Sequence, residues 1–112
     1  MRDKIIKSVE NIKDEMVNSI IESVQIPSVI GEESKQYPFG KDIDDVLNHM
    51  LDLCDKLGFK TYKDKEGYYG YAEIGEGEEL VGILGHLDVV PAGDEWTVTE
   101  PYEPIIKDGK LY

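Results

Sequence analysis

The chain has 112 residues, enough for one domain at most, and a domain of this size buries roughly two-thirds of the surface its unfolded form exposes. Its 24 acidic residues outnumber 12 basic ones, and the net charge of −12 would repel nucleic acid and anionic membranes, so neither is an expected partner. No apolar run reaches the length of a membrane span, Glu10, Asp14 and Glu15 fall where a secretory signal would need apolar residues, and a single cysteine, Cys54, excludes a disulfide framework; a reducing cytoplasm is the expected compartment.

Ile5, Val9, Ile12, Met16, Ile20 and Val24 recur every three or four residues with charged and amide side chains between them. This spacing predicts one amphipathic helix from about residue 3 to about residue 25, its apolar stripe turned to the core. Pro27 stops it, because the residue before a proline is pushed out of helical geometry. Residues 27–40, with Gly31, Pro38 and Gly40, read as an irregular polar loop in which Glu32, Glu33 and Ser34 are solvated. A second helix opens at Asp42, Asp44 and Asp45, whose carboxylates suit the positive end of the helix dipole and can cap its free amides. Ile43, Val46, Leu47, Met50, Cys54 and Leu57 form its buried stripe, and Gly58 sits where a left-handed cap belongs. Cys54 in that stripe reads as a small core hydrophobe, and His49, on the flank, as a solvated residue.

Phe59 to Lys63 is a short strand candidate, Asp64 to Gly67 a turn, and Tyr68 to Ile74 a strand with Tyr68, Ala72 and Ile74 on one face. Tyr68, Tyr69 and Tyr71 suggest an aromatic platform, but packing is the simpler reading in a strand. The turn Gly75 to Glu78 then closes a hairpin onto Leu80-Val81-Gly82-Ile83-Leu84, an unbroken apolar run that reads as a central strand covered on both faces. Pro91 to Asp94 is turn chemistry, and Pro104 to Tyr112 reads as a strand, an Asp-Gly turn and the start of a return strand. The fold class expected is α/β, with helices packed on a mixed sheet.

His86 and Asp88 lie two residues apart beyond the apolar run, so in extended chain they project to the same side, at the carboxyl end of the expected strand. An imidazole beside a carboxylate suits a zinc site, the carboxylate fixing the ring's tautomer and orientation. On spacing alone, a hydrogen-bonded pair that merely closes a strand end is the simpler reading.

A family resemblance favours the metal. Gly85-His86-Leu87-Asp88-Val89-Val90-Pro91-Ala92-Gly93, followed by Trp96, resembles the metal-binding segment of the two-zinc metallopeptidases that include aminoacylase, carboxypeptidase G and the carnosinase-like dipeptidases. Ile26-Pro27-Ser28-Val29, Pro38-Phe39-Gly40-Lys41, Tyr102-Glu103-Pro104 and Asp108-Gly109-Lys110-Leu111-Tyr112 are similar, in order and spacing, to the peptidase V type of bacterial dipeptidase, which acts on Xaa-His dipeptides. Glu95 and Tyr102 depart from that pattern, where glycine and phenylalanine are expected. The resemblance implies that His86 is a metal ligand and Asp88 the catalytic-centre carboxylate that orients it. It implies two zinc ions in the complete enzyme, with manganese or cobalt as alternatives, and hydrolysis of a dipeptide by a metal-bridged water with a glutamate as general base.

In the resembling family the bridging aspartate, the base and the other ligands follow later in the chain than Tyr112. Residues 1–112 are therefore expected to be the amino-terminal portion of a metallopeptidase catalytic domain, lacking the remaining catalytic domain and the lid domain, inactive alone, and able to self-associate through an exposed sheet edge. Two other readings stay open: a non-catalytic peptide- or metal-binding module, and a structural half that assembles with a separately encoded remainder.

Overall fold

The charged and apolar periodicity of the first 24 residues does form helix in the computed structural model, which describes residues 1–112, but as two pieces rather than one. Helix α1 is Arg2–Asn11 and helix α2 is Lys13–Val24. At Ile12 the backbone turns to φ −103° and ψ 6°, and its N–H reaches the Val9 carbonyl at 3.2 Å, three residues back instead of four. Asn11 and the β-branched Ile12 are weak helix formers side by side, a natural place for the turn to tighten. The apolar stripe is not core. Ile5, Val9, Ile12, Met16, Ile20 and Val24 are each between 41% and 58% exposed. Periodicity specifies which face would be buried and says nothing about whether a surface exists to bury it.

The chain divides into two units, one formed by residues 1–25 with 93–112 and the other by residues 26–92. Every buried side chain belongs to the second, where helix α3, Lys41–Lys56, packs on a two-stranded antiparallel sheet of β1, Lys60–Lys63, and β2, Gly70–Glu73. The helix starts at Gly40, with φ 95°, and no side chain caps it. The aspartates expected to cap it serve elsewhere. Asp44, buried, accepts Lys63 Nζ at 2.5 Å and Asn48 Nδ2 at 2.9 Å, and Lys63 Nζ also donates to Asn48 Oδ1 at 2.8 Å, which ties the helix to β1. Asp45 pairs with Lys41 in solvent, a contact that raises the Lys41 pKa. At the other end Phe59 N–H bonds the Cys54 carbonyl at 3.0 Å and Gly58 N–H the Asp55 carbonyl at 3.0 Å, the paired bonds of a Schellman cap.

Strand β1 pairs with β2 in the register Thr61 to Ala72 and Tyr62 to Tyr71. Alternation turns Thr61, Lys63, Gly70 and Ala72 toward the helix, where a Cβ on Gly70 would lie 2.9 Å from Leu51 Cδ1 and 3.2 Å from Leu47 Cδ1. Val46, at 3% exposure, is the one buried hydrophobic residue. On the outer face the Tyr62 ring stacks on Tyr71 at 5.0 Å and tilts against Tyr69 at 6.2 Å, all three exposed, while Tyr68 meets Phe39 edge to face at 5.6 Å. Desolvation within this cluster, then the neighbouring Tyr69 and Asp64, push the Tyr62 phenol above its ordinary pKa. The tyrosines pack, but on one another and in water.

The expected pairing of residues 68–74 with Leu80 to Leu84 does not occur, since β2 takes β1 as its neighbour. Leu80 to Leu84 has extended chain without strand partners, and Leu80, Val81, Ile83 and Leu84 are 84% to 101% exposed. The central-strand reading is thus corrected: the run is apolar enough to be buried, but residues 26–92 supply no second layer to cover it. The parallel contact that does form is a single bridge, Val29 to Val89.

In the tail, β3, Ile106–Lys107, and β4, Lys110–Leu111, form the second antiparallel pair about Asp108 and Gly109, whose φ values of 52° and 71° fit a type I′ turn. Ile105 and Tyr112 extend the ladder by exchanging backbone bonds of 3.1 and 2.9 Å. With three helices and two small antiparallel sheets, the chain is α/β.

Candidate functional site

The stretch Ile26-Pro27-Ser28-Val29-Ile30 is short, apolar and rich in β-branched residues, and it runs beside residues 87–89. Ser28 O accepts the Val89 N–H at 2.9 Å, and Ser28 Oγ donates to the Leu87 carbonyl at 2.8 Å. The loop that follows is pinched shut. Gly31 N–H bonds the Phe39 carbonyl at 2.9 Å, and a Cβ on Gly40 would stand 2.8 Å from Gly31 Cα, so position 40 admits only glycine. The same Gly40 begins α3, so the helix of the core and the segment that bridges to Val89 meet at this neck.

On that support His86 and Asp88 come together. The His86 Nδ1 lies 3.0 Å from Asp88 Oδ1 and 3.1 Å from the Asp88 carbonyl oxygen. Both partners are acceptors, so the neutral ring meets them as the Nδ1–H tautomer and keeps the Nε2 lone pair for another ligand. The side chains are 82% and 57% exposed. Such a pair can orient an imidazole toward a metal or a proton acceptor, but its own attraction in water is small.

Zinc sites in enzymes take about three protein ligands each. No three His, Cys, Asp or Glu side chains here are grouped so as to hold a metal ion. The donor set of residues 1–112 therefore does not fit a complete zinc site. Neither His49 nor Cys54 joins His86 and Asp88. Cys54 is a half-buried free thiol on α3, as its place in the stripe suggests. His49 departs from the solvated reading, because its Nε2 is enclosed and has no hydrogen-bond partner. The residue as a whole is half-buried, which the helical period alone does not reveal. Ser28 belongs to the Ile26-Pro27-Ser28-Val29 motif, but the sequence assigns it no role; the β-branched run around it signals only extended, half-buried chain.

No family model matches the chain. Among curated proteins, "Putative dipeptidase YtjP" of Bacillus subtilis (strain 168) is 37% identical over 102 residues, a match that takes in 89% of this chain and 22% of that protein. A Staphylococcus aureus (strain USA300) protein, also named as a putative dipeptidase, is 33% identical over 107 residues, 94% of this chain and 22% of its own length. The same figures hold for its counterpart in strain NCTC 8325. The chain thus spans about a fifth of the length of the curated relatives it matches. These relatives support a dipeptidase family, and no helix of the chain is long and apolar enough to cross a membrane.

Proposed function

We propose that residues 1–112 are the amino-terminal portion of the catalytic domain of a cytoplasmic, metal-dependent dipeptidase of the two-zinc metallopeptidase type, in the manner of peptidase V. The observation that carries this reading is the 37% identity, over nearly the whole chain, to a protein with a dipeptidase name. The contact between His86 and Asp88 is compatible with it. His86 would ligate a metal through Nε2, and Asp88 would hold the ring by its Nδ1–H. Bound divalent metal, in this chemistry, polarises a peptide carbonyl and lowers the pKa of attacking water. The chain's own part is to present one neutral, oriented imidazole; the remaining ligands and the general base would come from the part of the protein that its relatives have and residues 1–112 do not. The substrate class is a dipeptide.

The test is a chimera in which residues 1–112 replace the matching segment of the Bacillus subtilis relative. With zinc or manganese supplied, dipeptide hydrolysis is expected, reduced to background by His86→Ala. A soluble chimera that hydrolyses no dipeptide, or one indifferent to His86→Ala, overturns the reading.

A further inference from the structure

Four residues of the chain are buried, and one of them, Ser28 at 4% exposure, bonds the chain on both sides of the exposed Asp88. Its two bonds fall on either side of a single residue. Ser28 Oγ holds the carbonyl of Leu87, which belongs to the peptide group entering Asp88, and Ser28 O holds the N–H of Val89, which belongs to the peptide group leaving it. Two fixed peptide planes leave the φ and ψ of Asp88 little freedom. The Asp88 carbonyl and carboxylate are the two groups that His86 Nδ1 touches. The attraction between an exposed imidazole and carboxylate is small in water, so the position in which Asp88 meets the ring is set by its backbone.

We infer that Ser28 is a positioning residue for the His86–Asp88 pair: by gripping the chain on both sides of Asp88 it sets the carbonyl and carboxylate that keep His86 as the Nδ1–H tautomer with Nε2 free. The relevance to catalysis rests on the dipeptidase reading, whereas the tautomer does not. A serine fits because the bond to Leu87 needs a short side-chain donor at a buried position beside the Val29 to Val89 bridge. Alanine keeps the backbone bond to Val89 and deletes only the hydroxyl; threonine retains the hydroxyl.

Nitrogen-15 NMR of the histidine ring, recorded on the full chain without metal at a pH where imidazole is neutral, reads the tautomer ratio directly. In the wild type the Nδ1–H form is expected to dominate. In Ser28→Ala its ratio to the Nε2–H form is expected to fall roughly five-fold, the factor that corresponds to losing one hydrogen bond of about 1 kcal/mol. Ser28→Thr restores it. Hydrogen exchange at the Val89 amide, protected in the wild type, should stay protected in Ser28→Ala. An unchanged ratio in Ser28→Ala, a wild-type ring with no preference for Nδ1–H, or general loosening read as free exchange at Val89 would each overturn the proposal. Because no metal or substrate enters, an inactive chimera with the expected tautomer shift would remove the dipeptidase reading and leave the role of Ser28 standing.

Discussion

Helix α3 with its hairpin and the run Leu80 to Leu84 are both apolar, both lie in the same unit, and only one of them is covered. Strand β1 begins at Lys60, just after the helix ends at Lys56, and β2 returns at Gly70, so Leu47 and Leu51 find the hairpin without any long closure of chain. The run from Leu80 to Leu84 is more hydrophobic than the hairpin, yet its side chains are open to water. Hydrophobicity states a demand for burial; the supply depends on what the same unit can fold over it. The two regions should therefore answer differently to the same substitution.

The largest expected effect concerns the open region. An apolar run with unsatisfied backbone groups is a template for pairing with another copy, opposed by the net charge of −12. Screening shortens to about 8 Å near physiological ionic strength, so association should strengthen as salt is added, and Ile83→Lys should reduce it. Light scattering across a salt series checks this; a monomer at every salt concentration would break the comparison.

Next comes the polar tie beneath the helix. Asp44→Ala leaves Lys63 and Asn48 without their buried partner and should cost about 3 kcal/mol in urea unfolding. Lys41→Ala removes an exposed pair and should leave the urea midpoint close to that of the parent.

Gly70→Ala and Gly82→Ala give a sharper form of the same contrast. The first forces a methyl against Leu51 and the Tyr62 carbonyl, both 2.9 Å away, and should destabilise by about 2 kcal/mol; the second meets nothing within 4 Å and should stay within about 0.5 kcal/mol of the parent. Comparable losses at the two sites would mean that residues 80–84 are covered in solution.

The smallest effect is on the tyrosine cluster. A phenol whose folded pKa is raised above its unfolded value favours the folded state below the unfolded pKa, and that contribution is lost as pH rises through the folded one. For Tyr62 this window lies in the alkaline range above about pH 10. Phenolate absorbance should show one tyrosine titrating late, and Tyr62→Phe should remove that late step.

What could be read in the sequence follows the range of the contacts. The α3 stripe, its Gly58 end, strand β1 and the Asp108-Gly109 turn are all settled within a few residues, and their signals are local. His86 and Asp88 could be singled out because two residues separate them. The clamp from Ser28 could not: Leu87 is 59 positions away, and nothing in a hydroxyl's neighbours names so distant a carbonyl. The same limit explains the two exposed stripes, on α1 and α2 and at Leu80 to Leu84, where the pattern specifies a face to bury and names no cover for it. Splitting the first helix at Ile12 depended on a local balance too fine for periodicity to resolve.

The pinched neck at Gly31 and Gly40 makes residues 32–36 a cassette. Their ends are already brought together by the Gly31 to Phe39 bond and by Ser34 N–H reaching the Tyr37 carbonyl at 2.9 Å, and the residues between are exposed. Doubling the length of such a loop adds only about 0.6 kcal/mol of closure entropy. A fluorophore tag, an affinity handle or a protease recognition sequence spliced in after Glu33 would hang from the molecule like a pendant, with Ser28 and the residues it grips left undisturbed on the other side of the knot.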